Sequence, residues 1–197
     1  IDSLIICGAG TNAPYYIGIF HTLFTKKIID PQLTGIKEIL TTSVGILASI
    51  LVLLKIDMRA SYKIINHTDV YKLIDYDNIS INSLLQESGL FNVDKISYVI
   101  ESIIYHKTGI KQCSLKQLYD LTKVSLNVTV YNITESILEV FNHTNHPDIT
   151  VHQLASMTMS IPLFFRPILY NNKYYIDGGV DTLDDSLLHY KNYLRID

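Results

Sequence analysis

Two short motifs, far apart along the chain, carry side chains that are suited to acyl-transfer chemistry. The first contains Ser43 and reads Thr41-Thr42-Ser43-Val44-Gly45, between an apolar run and a strongly apolar segment. A serine at a sharp turn between a strand and a helix is the arrangement of a nucleophile elbow, which presents the hydroxyl as an attacking group. The second motif is Asp177-Gly178-Gly179, which follows Tyr174-Tyr175-Ile176 and offers a carboxylate as a general base.

Each of these motifs also has a purely structural interpretation. Serine is a common N-cap residue, so Ser43 is equally expected at the start of a helix that has no catalytic role. An Asp-Gly pair such as Asp177-Gly178 is first of all a turn signal. The spacing around Ser43 therefore leaves the catalytic and the structural interpretation about equally supported.

A third feature is the small-residue loop that follows the first apolar run, Gly8-Ala9-Gly10-Thr11-Asn12-Ala13. Small residues let backbone N–H groups converge on an anion at a helix N-terminus, either a phosphate or the oxyanion of an acyl transfer. The spacing Gly8-x-Gly10-x-x-Ala13 also fits a dinucleotide-binding turn, with Asp30 as its ribose-binding acid. By itself, the loop leaves a hydrolase, a nucleotide-binding module and a plain turn open.

The elements predicted around these motifs alternate between strand and helix. The predicted strands are Ser3–Cys7, Ile36–Thr42, Val124–Ile133 with Ser136–Asn142 as its hairpin partner, and Tyr174–Ile176. Helical spacing predicts helices from Pro14 to Lys26, Val44–Leu54, Asp57–Leu73, Asn92 or Asp94 to His106, Leu115–Leu121 and Val151–Ser160, with a loop and a short helix in Asn78–Leu90. This order favours an α/β sheet with helices on both faces.

The composition is that of a globular protein and argues against several classes of function. The chain has 197 residues, of which 48% are hydrophobic and 18% charged, so we expect 1–197 to form a single domain, which a longer chain could extend at either end. A formal net charge of -3, without clusters of either sign, predicts no nucleic-acid partner.

Membrane-spanning and secreted classes are also disfavoured by the sequence. The most apolar stretch, Val44–Leu54, is shorter than the roughly 20 residues that a spanning helix needs, so it predicts a buried helix. The chain has only two cysteines, Cys7 and Cys113, which predicts no disulfide framework and a reducing, cytoplasmic location.

Taken in order along the chain, these motifs resemble those of the patatin-like phospholipase family. A glycine loop after the first strand is followed by the Ser43 elbow, an AS-x-x-x-x-IP-x-x-F-x-P segment over Ala155–Pro167, and Tyr-x-Asp-Gly-Gly at Tyr175–Gly179. The resemblance extends from Leu4 to Gly179 and is loose between Asp57 and Lys123. It implies a three-layer α/β sandwich with a mainly parallel central sheet flanked by helices, and a serine ester hydrolase of the phospholipase A or lipid acyl hydrolase type.

The resemblance also implies a role for individual residues. Ser43 is the expected nucleophile and Asp177 its general base, in a catalytic dyad without histidine. The implied oxyanion hole consists of backbone N–H groups in the loop of Gly8, Ala9, Gly10 and Thr11, and the turns are supported by Gly45, Gly178 and Gly179. No cofactor and no metal are expected. The expected partner is a lipid or phospholipid substrate, with transient contact to a membrane surface.

The sequence departs from the family pattern at positions close to the expected chemistry. In the glycine loop, usually G-G-G-x-R/K-G, the chain has Ala9, Asn12 and Ala13 in place of a glycine, a basic residue and the closing glycine. Thr41 stands where the elbow normally has glycine. These changes keep a catalytically impaired lipid-binding or scaffold protein as an alternative.

Two further alternatives use other residues. A histidine-dependent α/β-hydrolase requires the chain order serine, acid, histidine, which Ser43, Asp177 and His189 satisfy. A nucleotide-binding module would use Gly8–Ala13 and leave the other two motifs without a role. The histidines of the His143 and His146 pair lack a second pair of metal ligands, so a solvated loop is expected there.

Overall fold

A seven-stranded mixed sheet lies at the centre of the protein. The structure is a computed structural model, and it describes residues 1–67, 84, 86, 88–181 and 185–197. The sheet has the order β7-β8-β4-β2-β1-β9, and β5 also pairs with β4. Its strands are β1 (Ser3–Ile6), β2 (Glu38–Thr42), β4 (Ser125–Asn132), β5 (Ile137–Phe141), β7 (Ile168–Tyr170), β8 (Lys173–Asp177) and β9 (Tyr193–Ile196). A second, parallel pair is formed by β3 (Gly89–Phe91) and β6 (Leu163–Phe165).

The register of β4 determines which chain segments meet. β1 is parallel to β2 and β9, and β2 is parallel to β4, whereas β5 and β8 are antiparallel to β4. β2 pairs with residues 125–129 of β4, β5 with residues 128–132 and β8 with residues 130–132. Because a strand has two edges and β5 overlaps both other partners, β2 and β8 share the edge opposite β5.

On that shared edge, β2 and β8 run toward each other. β2 ends at Thr42, opposite Thr129, and β8 ends at Asp177, opposite Val130. The residues that follow these two strand ends are therefore brought together from distant parts of the chain.

Six α-helices occur among the described residues, and several begin or end at residues with a clear local cause. They are α1 (Pro14–Thr25), α2 (Gly45–Leu53), α3 (Met58–His67), α4 (Asp94–Thr108), α5 (Leu115–Thr122) and α6 (Val151–Thr158). A capping box of Ser114 and Gln117 begins α5, and the Thr150 hydroxyl accepts the Gln153 N–H at the start of α6. Gly109, in the left-handed region, ends α4.

The core follows the alternation of side chains across the central strands. Leu4, Ile6 and Ile39 belong to the main core cluster, which includes nearly all of the apolar residues of α2. Ile5 and Leu40 point to the other face, where they pack with Leu188. Both faces of these parallel strands are thus buried, as is typical of an α/β sheet. The predicted architecture of a central sheet flanked by helices is confirmed.

The structure adds strands that the sequence analysis does not predict, namely β3, β6, β7 and β9. The predicted Asp57–Leu73 helix is present as Met58–His67, and its remainder lies outside the described residues, as does most of Asn78–Leu90. In the described ranges no helix is long and apolar enough to cross a bilayer. Cys7 and Cys113 are free thiols. The single domain and the cytoplasmic location stay predictions.

Candidate active site

Ser43 lies at a strained turn between β2 and α2. Its φ of 53° falls in the left-handed region, which is unusual for a residue with a side chain. The following helix approaches β1 so closely that a Cβ on Gly45 would lie 2.7 Å from the carbonyl oxygens of Ile6 and Cys7. The strand, turn and helix around Ser43 thus have the context of a nucleophile elbow, and Gly45 makes the close approach of the helix feasible.

The side chains of Ser43 and Asp177 are in direct contact. The Ser43 hydroxyl donates a hydrogen bond of 2.6 Å to Oδ2 of Asp177, and the Gly179 N–H donates one of 2.7 Å to Oδ1 of the same carboxylate. The two residues are buried, with exposed fractions of 7% for Ser43 and 4% for Asp177. Two side chains that are 134 residues apart in sequence thus meet in one buried hydrogen bond.

Burial changes the acidity of this carboxylate. Removal from water disfavours the charged form and raises the pKa of Asp177 above its ordinary value of 3.8. The hydrogen bonds from Ser43 and Gly179 stabilise the carboxylate and oppose this shift, but desolvation is the larger effect. A carboxylate with a raised pKa is a stronger base, which suits it to accept a proton from a hydroxyl.

The glycine loop lies against the same serine. A Cβ on Gly8 would lie 3.0 Å from the Ser43 Cβ and 3.6 Å from its Oγ. The loop continues into a 3-10 turn, Gly10–Asn12, in which Gly10 has a φ of 51°. Ala9 has a φ of -128°, so an alanine fits where the family has glycine.

The first N–H groups of this turn point to no acceptor within the described part of the chain. Asn12 and Ala13 donate their N–H groups to Ala9 and Gly10, whereas no protein acceptor is described for those of Ala9, Gly10 and Thr11. α1 begins directly afterwards at Pro14. Unpaired N–H groups at the entrance of a helix provide an electropositive environment for an anion.

A further group of buried residues holds the two side chains in place. The Thr158 hydroxyl accepts the Ser43 N–H at 2.8 Å and donates to the carbonyl of Thr129 at 2.8 Å. Two residues later, the Ser160 carbonyl accepts the N–H of Asp177 at 2.9 Å. The end of α6 therefore contacts the backbone of both Ser43 and Asp177.

Gly178 packs on the same part of β4. A Cβ there would lie 2.5 Å from the Thr129 carbonyl oxygen, so a larger residue would collide with the strand backbone. At Gly179, by contrast, the nearest atom to an added Cβ is Oδ1 of Asp177 at 3.1 Å. The Asp-Gly-Gly turn is therefore tightly packed at its first glycine and less so at its second.

The sequence analysis missed the supporting roles of Thr129, Thr158 and Ser160. Thr158 and Ser160 lie inside the Ala155–Pro167 segment of the family pattern. Residue spacing identifies this segment but does not predict its hydrogen bonds. Thr41, which departs from the family pattern, donates its hydroxyl to the Ile6 carbonyl at 2.9 Å. This bond links β2 to β1 and gives the threonine a structural place beside Gly45.

The structure does not bring the other candidate residues to this site. The Nδ1 atom of His189 lies 3.1 Å from Glu38, and 73% of its side chain is exposed. Glu38 begins β2 and Ser43 follows its end, so their backbones are roughly 16 Å apart at about 3.3 Å per strand residue. His189 contacts the end of β2 that lies away from the elbow. The histidine-dependent alternative is therefore wrong.

The proposed nucleotide-binding acid and the histidine pair also have local partners. The Asp30 carboxylate accepts the N–H of Gln32 and the hydroxyl of Thr34 within its own turn. His143 stacks on Tyr119 and His146 stacks on Phe141. Within the ranges that the structure describes, no group of three or more potential ligands is positioned to hold a metal.

The chain is similar to known proteins in both sequence and structure. The sequence model of the patatin-like phospholipase family matches residues 4–183. An uncharacterized protein of Acanthamoeba polyphaga mimivirus is 28% identical over 184 residues, covering 93% of this chain and 59% of the relative. A probable lipid hydrolase of Invertebrate iridescent virus 6 is 32% identical over 116 residues, covering 55% of this chain and 40% of the relative.

Two solved structures have the same fold. VipD from Legionella pneumophila has a TM-score of 0.68 at 17% identity and is matched by 98% of this chain over 49% of its own length. ExoU from Pseudomonas aeruginosa, in complex with SpcU, has a TM-score of 0.57 at 17% identity, with coverage of 82% and 38%. The chain thus spans less than two thirds of each of these four proteins.

Proposed function

This chain belongs to the patatin-like phospholipase family, and we propose that it hydrolyses fatty-acyl esters of lipids with Ser43 as nucleophile and Asp177 as general base. The observation that carries the proposal is the 2.6 Å hydrogen bond from the Ser43 hydroxyl to the Asp177 carboxylate. At this distance one group can deprotonate the other without a histidine between them. On a phospholipid, cleavage of a fatty-acyl ester is the phospholipase A reaction.

The first half of the reaction forms an acyl-enzyme. Ser43 Oγ attacks the ester carbonyl carbon while its proton passes to Oδ2 of Asp177. The tetrahedral intermediate then collapses, the bond to the alcohol oxygen breaks, and Asp177 returns the proton to that oxygen. The products are the free alcohol, or a lysophospholipid, and a fatty-acyl ester of Ser43.

The second half releases the fatty acid. A water molecule attacks the acyl carbonyl carbon and gives its proton to the Asp177 carboxylate. When the second intermediate collapses, the bond to Ser43 Oγ breaks and Asp177 protonates that oxygen. Side chains, backbone amides and water perform every step, so the scheme uses no metal and no cofactor.

The N–H groups of Ala9, Gly10 and Thr11 are the proposed oxyanion hole, with Gly8 shaping the turn beside Ser43. Their support is the absence of a described protein acceptor and the start of α1 directly behind them. The Ser43 N–H is excluded from this role because it donates to Thr158. Loss of one oxyanion donor typically costs about 2.7–4 kcal/mol of barrier.

A catalytically impaired lipid-binding protein is the alternative function. Its support is Asn12, which stands where the family resemblance implies a basic residue and which is exposed at the end of the 3-10 turn. The positive charge that the family pattern provides at position 12 is therefore missing. The Ser43–Asp177 contact disfavours the nucleotide-binding alternative, which gives this buried pair no role.

Labelling with a fluorophosphonate, followed by hydrolysis of p-nitrophenyl butyrate and of phosphatidylcholine, tests the proposal. We expect the probe to modify Ser43 and the Ser43→Ala variant to lose both labelling and hydrolysis. Asp177→Asn should lower kcat about 10²–10⁴-fold, the usual contribution of a general base. The matched control is His189→Ala, which should keep wild-type activity per folded molecule. A wild-type protein that neither labels nor hydrolyses either ester would refute the catalytic proposal and favour the impaired alternative.

A further inference from the structure

Four consecutive apolar residues are exposed beside the Ser43–Asp177 pair. They are Ile161-Pro162-Leu163-Phe164, which follow Ser160, the residue whose carbonyl accepts the Asp177 N–H at 2.9 Å. Val180, just after the Asp-Gly-Gly turn, is also exposed. We call Ile161, Leu163, Phe164 and Val180 the apolar rim. Contiguous exposed apolar side chains are uncommon on a soluble surface and usually mark a contact site.

The turn that carries the apolar rim is held firmly by the backbone. The Ile161 carbonyl accepts the N–H groups of both Phe164 and Phe165, at 3.2 and 2.8 Å. The Phe164 ring packs against that of Phe91 with centroids 4.8 Å apart. Because β6 follows this turn and pairs with β3, the exposed segment has a defined conformation that rests on β3.

Leu163, the first residue of β6, is in a conformation that a leucine ordinarily avoids. Its φ is 68°, in the left-handed region, and 68% of its surface is exposed. Leu33, which also has a positive φ, is 5% exposed and packs in the core, whereas the exposed Leu163 side chain buries little apolar surface to offset its strain. Strain of this kind points to a functional contact outside the folded chain.

The charge distribution distinguishes between possible occupants of the apolar rim. The exposed residues 161–164 include no Asp, Glu, Lys or Arg, in a chain of which 18% is charged. The first charged residues that follow Phe164 and Val180 in the sequence, Arg166 and Asp181, have opposite signs. A partner without matching charges, such as the hydrocarbon region under zwitterionic head groups, fits this surface better than an anionic membrane or a charged protein face.

We propose that the apolar rim inserts into the surface of a zwitterionic phospholipid bilayer, with Leu163 as the leading side chain. The inference rests on the proposed function, since Ser43 is only 7% exposed and a lipid ester must leave the bilayer beside it. The rim lies next to the pair because Ser160, which precedes Ile161, and Gly179, which precedes Val180, both hydrogen-bond to Asp177. Insertion would place the edge of the bilayer at the Ser43 hydroxyl.

Vesicle binding tests the proposal in a Ser43→Ala background, which prevents hydrolysis during the measurement. Phosphatidylcholine vesicles are sedimented with the parent protein, with Leu163→Asp and with Leu121→Asp. Leu121 is the matched control, because it is 51% exposed but lies at the end of α5, before the amino end of β4. We expect Leu163→Asp to weaken partitioning at least about tenfold and Leu121→Asp to leave it unchanged.

A second variant separates lipid contact from folding. Leu163→Gly removes the side chain and suits a positive φ, so it should unfold at the same temperature as the parent or higher while binding vesicles less tightly. Equal vesicle binding by the Leu163 and Leu121 variants would overturn the proposal. So would a Leu163→Asp variant that loses self-association in sedimentation velocity but keeps vesicle binding, because the rim would then be a contact between copies of the chain.

Hydrolysis of p-nitrophenyl butyrate, a monomeric ester, separates this proposal from the proposed function. With Ser43 intact, Leu163→Asp should hydrolyse this ester at the wild-type rate and lose activity on vesicles alone. Loss of activity on both esters would overturn the rim as a lipid-contact surface. Absence of wild-type activity on the monomeric ester, with vesicle binding still dependent on Leu163, would refute the catalytic proposal and support the surface.

Discussion

Replacement of Thr158 by valine tests how the Ser43 turn is held. The Thr158 hydroxyl makes two buried hydrogen bonds, one from the Ser43 N–H and one to the Thr129 carbonyl, each of 2.8 Å. Valine has nearly the same shape but leaves both backbone groups without a partner. A buried polar group that loses its partner costs about 1–3 kcal/mol, so Thr158→Val should lower the free energy of unfolding by about 2–6 kcal/mol.

The same variant should lower the reactivity of Ser43. The N–H bond to Thr158 helps to keep Ser43 at its strained φ of 53°, with the hydroxyl directed at Asp177. Because a shift of about 1 Å in a reacting group costs on the order of 10²-fold in rate, we expect the fluorophosphonate labelling rate to fall by that factor. For ester hydrolysis, kcat should fall while KM stays near the wild-type value, since Thr158 is fully buried behind the pair.

Two matched variants make this prediction refutable. Thr158→Ser retains the hydroxyl and should restore most of the labelling rate. Ser49→Ala removes another buried hydroxyl near the elbow, one that donates to the Gly45 carbonyl within α2, and should leave labelling unchanged. Urea denaturation gives the stability and the fraction folded in each case. If folded Thr158→Val labels as fast as wild type, or if Thr158→Ser is as slow as valine, the positioning argument is wrong.

Two further predictions concern Asp177 and the turn that follows it. Because burial raises the pKa of Asp177 and the base must be ionised, kcat/KM should rise with pH through a pKa above 3.8, and a profile that is flat from pH 4 upward would contradict this. A carboxyl group whose pKa is raised by folding stabilises the protein below its ordinary pKa, and this contribution is lost as pH rises through the folded-state pKa. Asp177→Asn should therefore raise Tm at pH 7 more than at pH 4, as measured by calorimetry. Gly178→Ala should lower the free energy of unfolding by about 1–3 kcal/mol, because its Cβ would lie 2.5 Å from the Thr129 carbonyl oxygen. Gly179→Ala should lower it less, and equal losses of the two variants in urea denaturation would refute this prediction.

The elements that carry the chemistry were predicted well because their signals are local. The strand before Ser43, the apolar helix after it and the strand before Asp177 all occur, with boundaries shifted by a few residues. Side-chain periodicity and turn residues report the backbone conformation of the same segment, so they do not depend on distant contacts.

The elements that were missed depend on partners elsewhere in the chain. β9 (Tyr193–Ile196) is a strand because it pairs with β1, and its own sequence alternates only weakly. The β7–β8 hairpin does have a local sequence signal, the pair Asn171-Asn172 between the two strands. Both residues have the positive φ values of a two-residue hairpin turn, which asparagine tolerates. His189 satisfied the order of a catalytic triad, but the chain returns it to the amino end of β2, where it contacts Glu38.

For this protein, the sequence by itself determined the α/β class, the family and the two motifs that contain Ser43 and Asp177. Tertiary structure decided that these motifs meet, because only the register of β4 places the ends of β2 and β8 side by side. It also decided the burial that raises the pKa of Asp177 and the hydrogen bonds from the end of α6. Turn chemistry acts over a few neighbouring residues, whereas strand register and desolvation arise from segments that approach one another only after folding.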